Sequence, residues 1–271
     1  MPVPLDMVVC VKWVPNTQVV NIDPRTGTLI REGVPSIINP HDLNAVELGL
    51  RLKDSYGGRL TAIAMSPPSA KAGLEFLIGM GVDRAILITD RAFAGADTLA
   101  TSYVLAKAIE RLMPVDIAIF GQETIDSSTA HICAQTASWL KLPYIYYVVD
   151  AKLGDGKKSI VVRRVLEREV ETFELPLPCL ISVAMKSNVP RPVTLSNKIR
   201  AKTEGLIEVW SNDVLKLDVN CIGLKGSPTV VSKSVPTPVV PRKKLKFEGT
   251  DPAEAARWLL DRLEEEGVKV V

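Results

Sequence analysis

The run Gly121-Gln122-Glu123-Thr124-Ile125-Asp126-Ser127-Ser128-Thr129 leads straight into an apolar helical pattern, and its residue types suit phosphate binding. A glycine lets the chain turn sharply where a strand ends. The hydroxyls of Ser127, Ser128 and Thr129 would then stand beside helix amides that lack intrahelical acceptors, at the positive end of the helix dipole. An Asp-Ser-Ser-Thr sequence is also an ordinary helix cap, so the loop alone leaves both readings open. Two further strand ends carry usable groups: Cys10-Val11-Lys12 with a cation and Ala64-Met65-Ser66-Pro67 with a hydroxyl. No GxGxxG follows the first strand and no GxxxxGKS/T occurs, which argues against a standard dinucleotide fold and a P-loop. His41 and His131 are the only histidines, and Cys10, Cys133, Cys179 and Cys221 form no CxxC pair. A zinc site or catalytic triad has little material here, and no catalytic residue or metal ligand is assigned. The cysteines read as buried small hydrophobes.

Groups placed this way need a rigid scaffold, and the chain is large enough for one. Its 271 residues, 46% of them hydrophobic, suffice for one large α/β domain or a domain with an appendage. Lys+Arg 33 against Asp+Glu 31 gives a net charge of +2, too balanced for a nucleic-acid binder. No apolar run approaches the ~20 residues of a membrane helix, so direct membrane insertion is not expected. Met1 to Pro15 has no charged leader ahead of an apolar run, which makes the cytoplasm the expected location.

Short apolar segments alternate with helical patterns through the first half. Residues 5–14, 60–66, 84–90, 115–121 and 143–150 read as strands; helices are expected from Asn39-Pro40 to about Ser55, then over 68–80, 97–112 and 128–140. Asn39 reads as the capping side chain, Pro40 as the first helical residue and Asp42 as the acid of the first turn, with Gly57-Gly58 as the stop. Residues 15–35 read as a surface hairpin turning at Asp23-Pro24 and Thr26-Gly27. This grammar implies right-handed βαβ crossovers and a doubly wound, mostly parallel sheet. From 151 it changes: a Gly-Asp-Gly-Lys-Lys turn, then 159–176 and 179–185 as long strands without an intervening helix, an antiparallel continuation. Residues 225–247, rich in Pro, Ser and Lys, read as an extended arm. It leads to an amphipathic helix begun at Asp251-Pro252-Ala253-Glu254, striped by Ala256, Leu259, Leu260 and Leu263, and closed by Gly267. That helix either folds back on its own domain or docks on a partner subunit.

Four blocks carry a family resemblance: VVCVKWVP, GTLIREGVPSIINPHDLNAVELGLRLK, FGQETIDSSTAHICAQTASWLKLP and LPLPCLISVAMKSNVPRPVTLSNKIRAK. In this order and spacing, from residue 5 to about 210, they resemble the β (small) subunit of electron transfer flavoproteins. The resemblance implies an adenine nucleotide held by Cys10, Lys12, Asn39, Pro40, His41, Asp42, Met65, Ser66, Pro67 and the run Gly121, Gln122, Glu123, Thr124, Ile125, Asp126, Ser127, Ser128, Thr129, Ala130, His131 and Ile132. It also implies a domain over 1–210, with 211–271 as an arm and helix wrapping an α subunit. Members hold either AMP or, in bifurcating assemblies, a second FAD. Those that keep AMP often carry extra carboxylates after the Ile-Asp, which would repel a diphosphate. Ser127, Ser128 and Thr129 stand there in this chain and favour FAD, with Lys12 and the amides of 127–130 on the diphosphate.

By the same resemblance the chain is an electron carrier rather than a catalyst acting on a metabolite, and Thr194, Leu195, Ser196 and Asn197 form the docking loop, with Leu195 as anchor. Implied partners are the α subunit, and dehydrogenases or a quinone oxidoreductase. A bifurcating assembly would add NADH as donor and ferredoxin or flavodoxin as low-potential acceptor. Many members carry an acid directly after an Arg in the strand 158–174; here Val165 follows Arg164, so no charge contact is carried across. A stand-alone ATP- or AMP-binding regulatory module would share the sheet topology but is usually shorter. A nicotinamide dehydrogenase acting alone lacks its glycine fingerprint here.

Overall fold

The computed structural model describes residues 4–16, 21–22, 29–30, 35–229 and 243–268. Strands are β1 (Leu5–Cys10), β2 (Trp13–Pro15), β3 (Asn21–Ile22), β4 (Leu29–Ile30), β5 (Ser36–Ile38), β6 (Gly58–Met65), β7 (Arg84–Ile88), β8 (Ile117–Gly121), β9 (Tyr144–Leu153), β10 (Ser159–Val165), β11 (Val170–Pro176), β12 (Cys179–Val183) and β13 (Ile207–Trp210). Helices are α1 (Pro40–Tyr56), α2 (Lys71–Met80), α3 (Thr98–Leu112), α4 (Ile132–Leu140), α5 (Leu195–Thr203), α6 (Asn212–Leu215) and α7 (Pro252–Glu265).

Nine strands form one sheet in the order β11-β10-β9-β12-β8-β1-β6-β7-β13. Along that order every pair from β9 to β13 is parallel, and the antiparallel pairs are β9–β10 and β10–β11 at one edge. The sheet is therefore mostly parallel with an antiparallel extension, as the pattern implies. The apolar run of β1 follows from burial on both faces. Leu5, Met7 and Val9 join one core with Leu48 and Leu50 of α1, Leu74 and Leu77 of α2 and Ala201 of α5. Val8 and Cys10 join the opposite core with Val104, Leu105 and Ile109 of α3 and Cys133 and Ala137 of α4. Among the described residues no helix is long and apolar enough to cross a membrane.

Several expectations need correction. Residues 179–185 do not continue the antiparallel extension: β12 inserts between β8 and β9, parallel to both, because its all-buried CLISV suits the sheet interior rather than an edge. The helix expected over 128–140 begins only at Ile132, because Ser128 and Ala130 take left-handed φ values of 48° and 55°. Of the expected hairpin at 15–35, Asn21–Ile22 pairs antiparallel with Leu29–Ile30, while the turns at Asp23-Pro24 and Thr26-Gly27 lie outside the described residues. The polar stretch 190–210 holds α5 and the edge strand β13. Of the four cysteines, Cys221 is exposed.

The chain divides into two compact units, 1–232 and 233–271. The first runs past residue 210 because Leu217 and Ile222 pack into the core with Trp210. Most of the expected arm, 230–242, lies outside the described residues. In the second unit Asp251 Oδ1 accepts the Ala253 N–H at 2.8 Å to cap α7, Phe247 packs on Trp258, and no residue of α7 is buried.

Candidate functional site

The chain passes from β1 to β6 and β7 on one side, then returns to place β8 on the other, so strand order reverses beside β1. In open parallel sheets ligands collect at the carboxyl ends of strands at such a switch point. A crevice of about 1170 Å³ opens there, bounded by the ends of β1, β6, β7 and β8 and the starts of α3 and α4.

Of the residues singled out in the sequence, Cys10, Lys12, Asp42, Met65, Ser66, Pro67, Gly121, Glu123, Thr124, Ser127, Thr129, Ala130, His131 and Ile132 line it. Asn39, Pro40, His41, Gln122, Ile125, Asp126 and Ser128 stand outside the lining. The far wall, from Thr89 through Asp90, Arg91 and Phe93 to Thr98, was missed by sequence reasoning. Its signal was available, since 84–90 is itself a parallel strand whose end obeys the same rule.

The loop between β8 and α4 is held from four sides. Asn39 does not cap α1; it reaches across, Nδ2 donating to Glu123 O at 2.8 Å while Oδ1 accepts the Ile125 N–H at 3.2 Å. This use of the side chain outcompetes capping because Asn39 is fully buried, where both loop groups need partners. The Tyr146 hydroxyl donates to Ala130 O at 2.6 Å and accepts the Ala134 N–H at 3.1 Å. Ser182 Oγ donates to Gly121 O at 3.1 Å, and Gln122 Oε1 accepts the Met185 N–H at 3.2 Å. Ser128 Oγ turns inward to Thr124 O at 3.1 Å, so Ser127 and Thr129 are the hydroxyl residues left on the lining. The absent side chain at 121 is a packing requirement: a Cβ there would lie 2.2 Å from Asp42 Oδ1 and 2.8 Å from the His41 carbonyl carbon.

Charge is arranged with equal economy. Lys12 Nζ donates to both oxygens of Asp126, at 2.9 and 2.8 Å. Burial pushes the Asp126 carboxyl up, but the bonds from Lys12 and from the Thr124 hydroxyl outweigh it and hold the group below the ordinary carboxylate range. Asp42, at the floor, accepts the Lys12 N–H at 2.7 Å, yet burial dominates and carries its carboxyl up to about 7. Burial also raises the Cys10 and Cys133 thiols far out of the thiolate range, so neither is a nucleophile near neutral pH. Burial lowers the His41 pKa, and its Nδ1 is buried without a hydrogen-bond partner among the described residues. The crevice is thus a binding place with the cations Lys12 and Arg91, the hydroxyls of Ser127 and Thr129, the first of them bonded to Thr124 and Asp126, and the first-turn amides of α4, of which Ala134 is taken by Tyr146.

The electron transfer flavoprotein domain matches this chain over residues 26–215. The chain belongs to the electron transfer flavoprotein family. It is 42% identical over 266 residues to the electron transfer flavoprotein subunit beta of Clostridium acetobutylicum, covering 97% of this chain and 99% of the relative. Protein FixA of Azotobacter vinelandii is 43% identical over 265 residues, covering 94% and 93%. The caffeyl-CoA reductase-Etf complex subunit CarD of Acetobacterium woodii is 40% identical over 263 residues, covering 97% and 99%. The similarity is to the β side of the family, and electron transport is the process it assigns.

The family match covers most of the crevice lining, though not Cys10 to Lys12 or Thr229, and also the segment 184–204. There Thr194 caps α5, its Oγ1 accepting the Asn197 N–H at 3.3 Å. Leu195 is 75% exposed, and Ser196 lies beside it, its Oγ 3.3 Å from Thr194 Oγ1. Arg164 stacks on Phe173 and pairs with Glu171, so this arginine finds its acid on the neighbouring strand instead of the next position in sequence.

Proposed function

We propose that the chain is the β subunit of a heterodimer completed by an α subunit, and that its crevice holds the second FAD of a bifurcating electron carrier. The observation that carries this reading is the braced loop 121–132, opening on about 1170 Å³. That volume exceeds the ~300–1,000 Å³ typical of sites for small ligands and suits a dinucleotide better than AMP. The donors fit a diphosphate. Lys12 would exchange its Asp126 oxygens for phosphate oxygens, and the amides at the start of α4, with Ser127 and Thr129, would take the rest. Arg91, on the far wall, supplies a second cation for the remainder of the molecule. Asp42, protonated below about pH 7, adds no charge against the phosphates there.

Bound FAD would supply two-electron exchange with NADH and one-electron delivery onward. The chain's own part is to grip the phosphates, exclude water from the floor of the crevice through Phe120 and Leu105, and present a docking surface at Thr194–Asn197. Dehydrogenases or a quinone-linked oxidoreductase, and ferredoxin or flavodoxin on the low-potential branch, are the partners this arrangement serves. Beyond the compact first unit, α7 carries Leu259 and Leu260 exposed. Such a stripe is suited to lie on the α subunit, with the unit from 233 onward as the part of the chain that wraps it.

Releasing and identifying the nucleotides of the purified heterodimer tests the reading. Two FAD per αβ pair, both reduced by NADH, are expected. One FAD with one AMP would replace it by the non-bifurcating form, in which AMP has a structural role.

A further inference from the structure

The segment Lys186–Lys202 contains five cations, Lys186, Arg191, Lys198, Arg200 and Lys202, and no acid. Arg200 pairs with Glu204, and Arg191 is turned inward to Glu47 and Asp54. Lys186, Lys198 and Lys202 are exposed, without an ion pair among the described residues. Between them stand three exposed apolar side chains, Val189 at 82%, Leu195 at 75% and Ile199 at 55%. On α5 the spacing 195, 198, 199, 202 puts leucine, isoleucine and two lysines on one helix face, while Ala201 is buried on the other. An apolar centre with a mostly basic rim, in which Glu204 and Asp54 pair with the two arginines and three lysines stay unpaired among the described residues, is the composition of a surface that steers and then seats a charged partner.

Such a surface needs a fixed shape, and α1 provides it. Asn44 Nδ2 donates to Asn188 O at 2.8 Å and to Asn188 Oδ1 at 3.0 Å, Asn188 Nδ2 donates back to Asn44 O at 3.0 Å, and Asn44 Oδ1 accepts the Lys186 N–H at 3.2 Å. One turn on, buried Glu47 accepts from Arg191 three times: its backbone N–H at 3.0 Å, Nε at 2.9 Å and Nη2 at 3.2 Å. Thr194 N then donates to Gly79 O at 3.0 Å, which ties the start of α5 to the end of α2. Each of these bonds helps to hold a segment that packs Val193 and Ala201 on the core and leaves Val189, Leu195 and Ile199 exposed.

We propose that Lys186–Lys202 is a basic-rimmed apolar docking face for an acidic redox protein, and that Arg191, clasped on Glu47, is the positioning residue that keeps it in shape. The proposal rests on the reading of Thr194–Asn197 as the docking site and extends it in two ways. It names the charge of the partner, and it assigns the face's order to the Arg191–Glu47 pair.

Binding of the intact heterodimer to oxidised flavodoxin, an acidic carrier, and to cytochrome c, a basic one of similar size, tests it by calorimetry from about 20 to about 300 mM salt. Flavodoxin binding should weaken about tenfold or more with salt, and by a similar factor in the combined variant Lys186→Glu, Lys198→Glu, Lys202→Glu. Arg191→Met should weaken it about tenfold with flavin content unchanged, raising KM for the carrier and leaving kcat in place, while Arg191→Lys recovers part of the loss. Slow amide exchange at Lys186, Arg191 and Thr194 in the wild type provides the same check should Arg191→Met fail to fold; fast exchange there would overturn the clasp. Leu195→Ala separates the two levels. If it leaves flavodoxin binding unchanged, the docking reading itself fails. If it weakens binding while charge reversal and salt do nothing, or if cytochrome c binds better than flavodoxin, the docking reading stands and the acidic partner is overturned.

Discussion

Replacing Asn39 by alanine should loosen the nucleotide without unfolding the protein. The side chain is fully buried and makes two hydrogen bonds to the loop, 2.8 Å to Glu123 O and 3.2 Å from Ile125 N. Alanine removes both partners at once and strands a carbonyl and an amide, at about 1–3 kcal/mol each. Both loop residues are only half-buried, so water can repair part of the damage, and the net loss should fall near 2 kcal/mol. Because those bonds fix the loop rather than the core, the loss should appear chiefly as nucleotide affinity, roughly 30-fold at ~1.4 kcal/mol per factor of ten. Titration calorimetry of AMP or FAD into nucleotide-stripped heterodimer measures this, with urea unfolding of the stripped protein as control. Asn39→Asp keeps an acceptor for Ile125 but sets a carboxylate against the Glu123 carbonyl, so it should be no better than alanine. Unchanged affinity in Asn39→Ala would refute the claim that this residue braces the loop.

Gly121→Ala brings a Cβ to 2.2 Å from Asp42 Oδ1 and should destabilise the chain by about 3 kcal/mol or more, read as a lowered urea midpoint. Tyr146→Phe removes the hydroxyl that serves Ala130 O and Ala134 N and should cost about 1–3 kcal/mol, with nucleotide affinity falling alongside; a wild-type affinity would show that the α4 start is set without it. Asp42 makes stability depend on pH. Its folded pKa of about 7 lies above the ordinary 3.8, so the native state binds the extra proton between these values. Stability should therefore be highest near pH 4 in this term and decline as pH rises to about 7, by on the order of 4 kcal/mol at most. Unfolding of wild type and Asp42→Asn across that window checks it, and the variant should lose the slope.

The alternation of strands and helices was legible because both faces of the sheet are covered: β1, β6, β7 and β8 are predominantly apolar, and α1 begins at its proline and ends at Gly57. Strand order was not legible. The apolar run 179–183 suits a place inside the sheet, but nothing local names β8 and β9 as its neighbours, and that insertion is what brings Ser182 to Gly121 and Gln122 to Met185. The start of α4 was misplaced by four residues because local composition favours a cap at Asp126-Ser127, whereas bonds from Asn39 and Tyr146 pull the loop into left-handed turns. Despite this displacement Gly121, Glu123, Thr124, Ser127 and the run Thr129 to Ile132 remain on the crevice. The helix α5 was hidden because only Ala201 of it is buried, leaving no apolar stripe to read. Asn39 reads from the sequence as a cap and, by resemblance, as a nucleotide contact, whereas its side chain reaches across to residues 123–125, which local sequence does not reveal.

A structure of the heterodimer assembled with its α subunit, determined with its native nucleotide, tests the central claim most directly. Phosphate density against Lys12, Ser127 and the first-turn amides of α4, with Asp126 released from Lys12, is the predicted result. A crevice filled by side chains, or a nucleotide bound elsewhere on the chain, would contradict it.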